Sequence, residues 1–289
     1  MKILVTGASG LLGTDVALEL ASAGHTVIKS ARAAREDYVS ADIATIEGLT
    51  ALTNLDWDCV VHTAAARDPD GCERDPEMAD TLNVRATEVL ARATAVRGAK
   101  FVFISTDYVF DGQMPPYKED ATPSPINIYG QTKLMAERIV LQHCPDALII
   151  RVSILYGINA GVKASALLYS SLQLLEKRQS VEVDNVIVRY PVYTGDIAHV
   201  ISWLLQKSEA GMFHVTSQDK LTKYDIAVIL GQLLRKDYAH IKPLNTILST
   251  PAARPLDAHL DTGKLQAAGI PLFMPFRERI ADFVERGLL

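Results

Sequence analysis

The first half of the chain alternates short apolar runs with longer segments whose apolar residues recur at helical spacing. The apolar runs predict strands at about Lys2–Thr6, Thr26–Lys29, Cys59–Thr63, Lys100–Ser105 and Ala147–Val152. The first helical segment carries Leu11, Leu12, Val16, Ala17 and Leu20 on one face. Strands that alternate with helices predict a parallel sheet covered on both faces.

Capping residues predict where one of these helices begins and ends. Asp75 is suited to cap a helix, Pro76 suits its first turn, and Gly98 suits its exit. Right-handed crossovers would bring the carboxyl ends of all the parallel strands to one edge of the sheet. Ligands of such sheets bind at that edge.

The pattern loosens after Tyr156-Gly157. We expect two short strands that pair near Val181–Tyr193, and Thr222-Lys223-Tyr224-Asp225 is a capping box that begins a helix ending at Leu234. The prolines and glycine of Asp111–Pro125 predict a long exposed loop near the ligand edge. The other elements expected are helices at Ala164–Lys177, Asp196–Lys207 and Pro275–Leu289, and a core strand at Gly211–Thr216.

The first strand runs directly into a glycine turn with the spacing G-x-x-G-x-x-G. Glycine allows the backbone to turn tightly and to approach a pyrophosphate, and the helix that follows presents amides and a partial positive charge. The alternative is a glycine turn without a ligand, but the strand before and the helix after favour a dinucleotide site. The residues expected to bind the cofactor here are Gly7, Ser9, Gly10, Leu11, Leu12 and Gly13.

Together these patterns predict an α/β fold, a doubly wound parallel Rossmann sheet with a smaller C-terminal α/β lobe. Residues 1–155 would form the nucleotide-binding domain, and residues 194–217 would return to it. Residues 156–193 and 218–289 would form a substrate-binding lobe.

Composition narrows the function classes. The 289 residues carry a net charge of −5 without a basic run, so we expect no nucleic-acid or membrane partner. The three cysteines are scattered, and no signal sequence or membrane span is evident, which predicts a cytoplasmic protein. We expect no metal site, since Cys59 and His62 would point to opposite faces of a strand.

The end of the second strand bears on the choice of cofactor. A site that prefers NAD usually has a carboxylate about 20 residues after the glycines. Here Ser30 and Arg32 stand instead, and with Arg35 they would hold a 2′-phosphate, unless they are solvated loop residues. We therefore expect NADP(H) to be preferred, with NAD(H) as the alternative.

A hydroxyl-tipped strand and a tyrosine–lysine pair supply the candidate chemistry. Tyr129 and Lys133 are four residues apart and so lie on one helical face. A nearby ammonium and a cationic nicotinamide would lower the pKa of the phenol, and Thr106 would hydrogen-bond a carbonyl oxygen that Tyr129 protonates. Tyr238 and Lys242 have the same spacing without such a strand, so we interpret them as structural.

The chain resembles the extended short-chain dehydrogenases/reductases. The glycine turn, Asp42-Ile43, Ala64-Ala65-Ala66, Asn83, Thr106 and the Tyr129/Lys133 pair stand in the order of that family. Within it, Ser105-Thr106-Asp107-Tyr108-Val109-Phe110-Asp111-Gly112 is similar to the dTDP-4-dehydrorhamnose reductases. Arg254-Pro255 and Leu260-Asp261-Thr262 match a late motif of the same group.

The same branch contains the regulatory β subunit of methionine adenosyltransferase. The segments at 64–70, 154–157, 189–191 and 221–224 are more similar to that subunit. Two departures from the reductases are Ile154, where they generally carry a tryptophan, and the stretch Arg189–Thr194, which lacks their Asp-Gln-x-Gly-x-Pro-Thr.

The resemblance implies roles for individual residues. Asp42 and Ile43 would flank the adenine, and Ala64, Ala65 and Ala66 would line the cofactor channel, whereas Asn83 would brace the sheet edge. Asp107 would support proton transfer or cap a turn, and Arg254 would bind a substrate phosphate or form a salt bridge. The implied substrate contacts are Asp107, Val109, Phe110 and Arg254.

The resemblance thus implies an NADPH-dependent reductase of a nucleotide-linked 4-keto deoxysugar, with Thr106, Tyr129 and Lys133 as its catalytic residues. The alternative is an NADP(H)-binding regulatory subunit whose partner is a methionine adenosyltransferase catalytic subunit. The sequence leaves open whether the protein forms a homodimer and whether it requires magnesium.

Overall fold

The protein contains a seven-stranded parallel sheet, as seen in a computed structural model that describes residues 1–158 and 165–289. The strands of these ranges are β1 (Lys2–Thr6), β2 (Thr26–Ala31), β3 (Val39–Ser40), β4 (Cys59–His62), β5 (Lys100–Thr106), β6 (Leu148–Val152), β7 (Leu155–Tyr156), β8 (Val181–Asp184), β9 (Val192–Tyr193), β10 (Gly211–Val215) and β11 (Ile241–Leu244). The large sheet has the order β10-β6-β5-β4-β1-β2-β3. This confirms the predicted doubly wound Rossmann sheet.

Helices cover both faces of the sheet. Those of the described ranges are α1 (Leu11–Ser22), α2 (Ile46–Thr53), α3 (Pro69–Arg74), α4 (Pro76–Asp80), α5 (Ala86–Arg97), α6 (Ile128–His143), α7 (Ala166–Leu175), α8 (Thr194–Gln206), α9 (Lys223–Leu234), α10 (Gly263–Ala267) and α11 (Phe276–Glu285). A π-helical segment at Thr81–Arg85 joins α4 to α5. None of these helices has the length and apolar character that crossing a bilayer requires.

The predicted capping of the helix after β4 is confirmed. The Asp75 carboxylate accepts a hydrogen bond from the Met78 amide at 3.0 Å, and Gly98 ends α5 at a φ of 62°. The capping box at Thr222 and Asp225 is also formed. These ends agree with the sequence because capping depends on contacts within a few residues.

Successive residues of β4 face opposite sides of the sheet. Cys59 and Val61 pack into the core on one side, whereas Val60 packs into the core on the other. His62 stacks on Phe103 with the two ring centroids 6.0 Å apart. Cys59 and His62 therefore diverge, as their separation along a strand predicts.

A separate hydrophobic cluster lies in the second half of the chain, around Tyr156, Leu168, Ile226 and Phe276. The predicted strand pair near Val181–Tyr193 is wrong in its partners. β8 pairs in parallel with β11, and β9 pairs in parallel with β7. Pairing with strands distant in sequence leaves no local signal, so the chain's periodicity did not reveal it. The predicted helix start at Ala164 lies outside the described residues.

The carboxyl ends of β1 and β4 approach each other closely at the point where the strand order reverses. Gly7 has a φ of +65°, and a Cβ built on it would lie 2.9 Å from the Cα of Ala64. A Cβ on Gly13 would lie 2.3 Å from the carbonyl oxygen of Gly7. Glycine is therefore required at both positions, as the turn motif predicts.

A buried ion pair joins α6 to β6 behind the carboxyl end of β5. The Arg151 Nη2 atom lies 2.8 Å from Glu137 Oε2, and both side chains are 3% exposed. Arg151 Nε and the Ser105 hydroxyl both donate to Glu137 Oε1, at 2.9 and 2.5 Å. The carboxylate is thus satisfied at both oxygens, which an ion buried this deeply requires.

We predict that Arg151→Ala lowers the free energy of unfolding by about 3–5 kcal/mol, because it leaves the Glu137 carboxylate buried without its cation. Urea unfolding followed by circular dichroism measures this loss. Arg92→Ala is the matched control, since Arg92 pairs with Glu88 at the surface and its loss costs less than about 1 kcal/mol. Equal losses in the two variants would contradict the assignment.

Candidate active site

The candidate site lies where the carboxyl ends of β1, β4 and β5 meet. β1 leads into the glycine turn, β4 leads into Ala64, Ala65 and Ala66, and β5 ends at Thr106. The three alanines are half-buried. The parallel sheet brings these segments together although they are far apart in sequence, and this edge is where ligands bind in doubly wound folds.

The glycine turn places the N-terminus of α1 at this edge. Gly10 caps α1 without a side-chain hydrogen bond, and its amide donates to the Gly7 carbonyl at 2.9 Å. Ser9 and Leu11 are half-buried and Gly10 is exposed, so the turn is accessible to a ligand. The Leu12 side chain packs into the core at 6% exposure, so the binding predicted for this residue would use its backbone amide.

Tyr129 begins the first turn of α6, after Asn127 caps the helix by accepting a hydrogen bond from Gly130. Its ring contacts Tyr108 edge-on with the centroids 5.7 Å apart. The Thr106 hydroxyl is near enough to the Tyr129 phenol to act on its pKa. The predicted meeting of the β5 tip and the tyrosine of α6 is therefore present in the structure.

The pKa of Tyr129 is raised, not lowered as the tyrosine–lysine pair predicts. Burial is the main cause, and the neighbouring Asp107 carboxylate raises the pKa further, while the hydrogen bond with Thr106 opposes both. The protein groups alone therefore keep the phenol protonated at neutral pH. This form is the one that can donate a proton.

Lys133 lies one turn along α6 and is 3% exposed. Its Nζ atom lies 3.9 Å from the centroid of the Phe103 ring. Burial lowers the pKa of Lys133 to about 7, although the nearby Glu137 carboxylate raises it. Because the ammonium is only partly populated at neutral pH, its effect on the phenol is weaker than the sequence analysis assumes.

Asn83 braces the edge of the site through the π-helical segment. Its amide group accepts a hydrogen bond from the Ala66 amide at 2.8 Å and donates to the Ala66 carbonyl and to Thr132, each at 3.0 Å. These contacts tie the loop after β4 to α6. They are the bracing contacts that the resemblance implies for this residue.

Three residues at or after the end of β2, Ser30, Arg32 and Arg35, are expected to hold a 2′-phosphate, and they differ in exposure. Arg32 is exposed. Ser30 is 1% exposed, because β3 covers that part of the strand, so a ligand arriving from solvent does not reach its side chain. The expectation for Ser30 is therefore wrong in this structure, and the exposed Arg32 and Arg35 remain the candidates.

The two residues expected at the adenine differ in accessibility. Asp42 is half-buried, and its Oδ1 atom accepts a hydrogen bond from the Ala44 amide at 3.0 Å. Ile43 is 8% exposed and belongs to the core beneath the sheet. The Ile43 side chain therefore offers little surface to an adenine, and the roles expected for Asp42 and Ile43 stay predictions.

Three of the residues implied to contact the substrate make contacts within the protein instead. Val109 and Phe110 are fully buried in a small cluster, where the Phe110 ring stacks on Tyr117 with the centroids 4.1 Å apart. Arg254 donates to both carboxylate oxygens of Asp70, at 3.0 and 2.7 Å. The structure thus corrects Val109 and Phe110 to core residues and favours the salt-bridge role for Arg254.

Asp107 directly follows β5 and lies beside Thr106. The Thr106 hydroxyl donates to Asp107 Oδ1 at 3.1 Å and accepts a hydrogen bond from the Tyr108 amide at 3.2 Å. In this arrangement the single hydroxyl proton of Thr106 is directed to Asp107. Thr106 would have to rotate its hydroxyl to donate to a carbonyl oxygen.

Residues of the second half of the chain bring positive charge to the same cleft. Arg189 pairs with Asp184 at 3.0 Å, and its charge acts on Asp107 and Tyr108. Lys223 is the first residue of α9. Burial lowers its pKa, and the charge of Arg189 lowers it further. In the sequence, Arg189 and Lys223 stand out only as part of segments that resemble a family. Glu137 is a further residue of the site that the motifs did not reveal, although it lies four positions after Lys133.

Within residues 1–158 and 165–289, no three or more His, Cys, Asp or Glu side chains are arranged so that they could hold a metal ion. His62 uses both ring nitrogens in hydrogen bonds, with Thr6 at 2.7 Å and Thr87 at 3.2 Å. Burial lowers its pKa to about 3. His62 is therefore a neutral structural residue beneath the sheet edge.

The sheet, the glycine turn and the Thr106–Tyr129–Lys133 arrangement define a Rossmann-fold protein of the extended short-chain dehydrogenase/reductase type. The sequence profile described as "RmlD substrate binding domain" matches residues 1–288. The chain belongs to that family.

Relatives in the family carry different functions. The chain is 35% identical to methionine adenosyltransferase 2 subunit beta of Mus musculus over 97% of this chain and 86% of the mouse protein. It is 33% identical to a probable low-salt glycan biosynthesis reductase, Agl14, of Haloferax volcanii, over 92% and 91% of the two chains.

Solved structures agree on the fold. A dTDP-4-dehydrorhamnose reductase of Clostridium acetobutylicum superposes with a TM-score of 0.88, at 28% identity and complete coverage of both chains. The dTDP-4-dehydrorhamnose reductase of Bacillus anthracis, solved in complex with NADP, gives a TM-score of 0.87 at 26% identity, covering 99% of each chain.

We predict that the Lys133 amine titrates with a midpoint near pH 7, because burial disfavours its charged form. NMR of protein labelled with ¹³C at the lysine ε-carbons measures this midpoint, and the spectrum of Lys133→Met assigns the signal. A midpoint near the ordinary lysine value of 10.5 would contradict the environment described for this residue.

Proposed function

We propose that the protein is an NADPH-dependent reductase of a nucleotide-linked 4-keto deoxysugar, similar to the dTDP-4-dehydrorhamnose reductases. The observation that carries the proposal is the meeting of the Thr106 hydroxyl and the Tyr129 phenol beside the glycine turn. The family and the solved reductase structures support it.

The residues present fit a dinucleotide. A Cβ at Gly7 or Gly13 would fill the space beside Ala64 and the Gly7 carbonyl. The N-terminus of α1, where Gly10 is the N-cap, lies at the same edge. Gly7, Ser9, Gly10 and Leu11 would hold the pyrophosphate, and Ala64, Ala65 and Ala66 would line the channel. The nicotinamide would supply the hydride when bound.

The chain's own residues would complete the reduction. Tyr129 is the proton donor to the carbonyl oxygen, since its raised pKa keeps it protonated before the reaction. Lys133 lies on the same face of α6 and would bind the ribose. Thr106 lies near the phenol and would help to position the carbonyl oxygen that Tyr129 protonates.

We place the substrate between the sheet edge and the residues at 156–193 and 218–289. The charge of Arg189 acts on Asp107 and Tyr108, and Lys223 lies near Arg189. The two cations would attract the diphosphate of a nucleotide sugar. Arg254 would act indirectly, by holding the loop at Thr250–Arg254 to Asp70.

A second function, regulation of a methionine adenosyltransferase catalytic subunit, is favoured by the 35% identity to the mouse β subunit. The two functions differ in what they require of Tyr129. Regulation by binding does not require Tyr129 as a proton donor, whereas reduction does. Co-purification with the catalytic subunit, in the absence of reductase activity, would favour regulation.

We predict that Tyr129→Phe lowers the rate of NADPH oxidation with dTDP-4-dehydrorhamnose by at least about 100-fold, because the variant lacks the proton donor. Absorbance at the NADPH band follows the reaction. Tyr238→Phe is the matched control, since Tyr238 and Lys242 repeat the spacing of Tyr129 and Lys133 outside the site. A Tyr129→Phe enzyme as active as the wild type would overturn the mechanism.

We predict that Arg32→Ala weakens NADPH binding by about 10- to 100-fold and leaves NADH binding unchanged, because only NADPH carries the 2′-phosphate. Fluorescence titration of the two cofactors measures both affinities. Ser30→Ala serves as the control, since its buried side chain is out of reach. Equal weakening of both cofactors by Arg32→Ala would reject its proposed contact.

A further inference from the structure

Asn127 connects the helix that carries Tyr129 to a loop 126 residues further along the chain. The Asn127 side chain is 2% exposed and uses both ends of its amide group. Its oxygen accepts a hydrogen bond from the Gly130 amide at 2.8 Å, which caps α6, and its nitrogen donates to the Ala253 carbonyl at 2.7 Å. Capping needs only the first of these two bonds. The second bond gives Asn127 a task beyond that of a cap.

An ion pair fixes the loop that Asn127 reaches. Arg254 donates to both carboxylate oxygens of Asp70 on α3, at 3.0 and 2.7 Å, and the Ala252 amide donates to the same carboxylate at 3.0 Å. The two charged side chains are only 17% and 24% exposed, so solvent ions screen this pair less than a surface pair. The carbonyl that accepts from Asn127 therefore lies between two residues that Asp70 holds.

Helix α3 also contacts the start of α6 directly. The Glu73 carboxylate accepts a hydrogen bond from the Ile128 amide at 2.8 Å, one residue before Tyr129. The same turn of α6 packs closely against the segment that follows β5, since a Cβ on Gly130 would lie 2.1 Å from the carbonyl oxygen of Tyr108. The backbone around Tyr129 is thus held by β5, by α3 and, through Asn127, by the loop.

We propose that Asn127 is a positioning residue for the proton donor, and that the loop Thr250–Arg254 acts on the reaction through it. The proposal rests on the proposed reductase function. It gives Asp70 and Arg254 an effect on the rate of the chemical step without contact to the substrate. A misplacement of about 1 Å can slow a reaction by about 100-fold, so a bond that fixes the first turn of α6 is sufficient to matter.

Two variants interrupt this connection at different points. Asn127→Ser keeps a good capping residue but has no amide nitrogen to reach Ala253. Asp70→Ala releases the loop at its other end. Asp80→Ala is the matched control, since Asp80 pairs with Arg85 at the surface. Thermal unfolding followed by circular dichroism should show that Asn127→Ser folds as the wild type does, because the cap is kept.

Turnover with NADPH and dTDP-4-dehydrorhamnose measures the effect on the reaction. In Asn127→Ser and Asp70→Ala, kcat should fall by at least about tenfold while the KM for the keto sugar stays unchanged. Asp80→Ala should keep the wild-type kcat. A raised KM with an unchanged kcat in Asp70→Ala would indicate that Arg254 binds the substrate, and it would overturn the proposal. A wild-type kcat in Asn127→Ser would also overturn it, since Asn127 would then be a cap alone.

The double variant Asn127→Ser/Asp70→Ala tests whether the two residues act through one connection. If they do, the double variant should be no slower than the slower of the two single variants. Losses of kcat that multiply would show two independent effects and contradict the connection, while the reductase function would stand.

The placement of Tyr129 is also measurable without substrate. NMR of protein labelled with ¹³C in the tyrosine rings, with the signal assigned by Tyr129→Phe, should show this signal shifted in Asn127→Ser and in Asp70→Ala and unshifted in Asp80→Ala. An unshifted signal in the first two variants would overturn the proposal. A shifted signal in a protein whose wild type does not reduce the keto sugar would uphold the connection and overturn the reductase function, so the two failures are distinguishable.

Discussion

The close approach of Gly7 to Ala64 is the constraint on which the rest of the site depends. Only a residue without a Cβ permits the carboxyl ends of β1 and β4 to meet at this distance, and Gly13 in turn allows α1 to lie against the turn. This contact fixes where the N-terminus of α1 points. Thr106, at the tip of β5, lies at the same edge of the sheet.

A buried ion pair between Glu137 and Arg151 lies behind the candidate site and connects the elements that form it. Glu137 holds Ser105 of β5 and Arg151 of β6, and it lies one turn after Lys133 on α6. The strand tip and the helix that carries Tyr129 are thereby fixed to each other by charge-assisted hydrogen bonds. The low pKa of Lys133 and the raised pKa of Tyr129 have the same physical origin, because burial disfavours the charged form of each group.

Much of the nucleotide-binding half could be predicted from the sequence, because its signals are local. The glycine spacing, the caps at Asp75 and Gly98 and the apolar strands each depend on a few neighbouring residues. The pairing of β8 with β11 could not be predicted, since the two strands are far apart in the chain. The position of Asp107 beside Thr106 followed from the motif, but the direction of the pKa of Tyr129 depended on burial that only the tertiary structure supplies.

The substrate side was harder to predict for the same reason. Val109 and Phe110 stand in the motif next to Asp107, yet the chain turns them into a core formed with Tyr117 and Leu260. Arg189 and Lys223 reach the cleft from separate segments whose own patterns show only a loop and a helix start. Relatives that keep the sheet edge and vary these segments can therefore differ in function.

The central claim is that a pyridine nucleotide lies across the carboxyl edge of the sheet with its reactive ring beside Tyr129. A crystal structure of the protein with NADPH tests this most directly. We expect the pyrophosphate at Gly7–Leu11 and the nicotinamide next to the phenol of Tyr129. A nucleotide bound elsewhere, or a phenol directed away from the nicotinamide, would contradict the account.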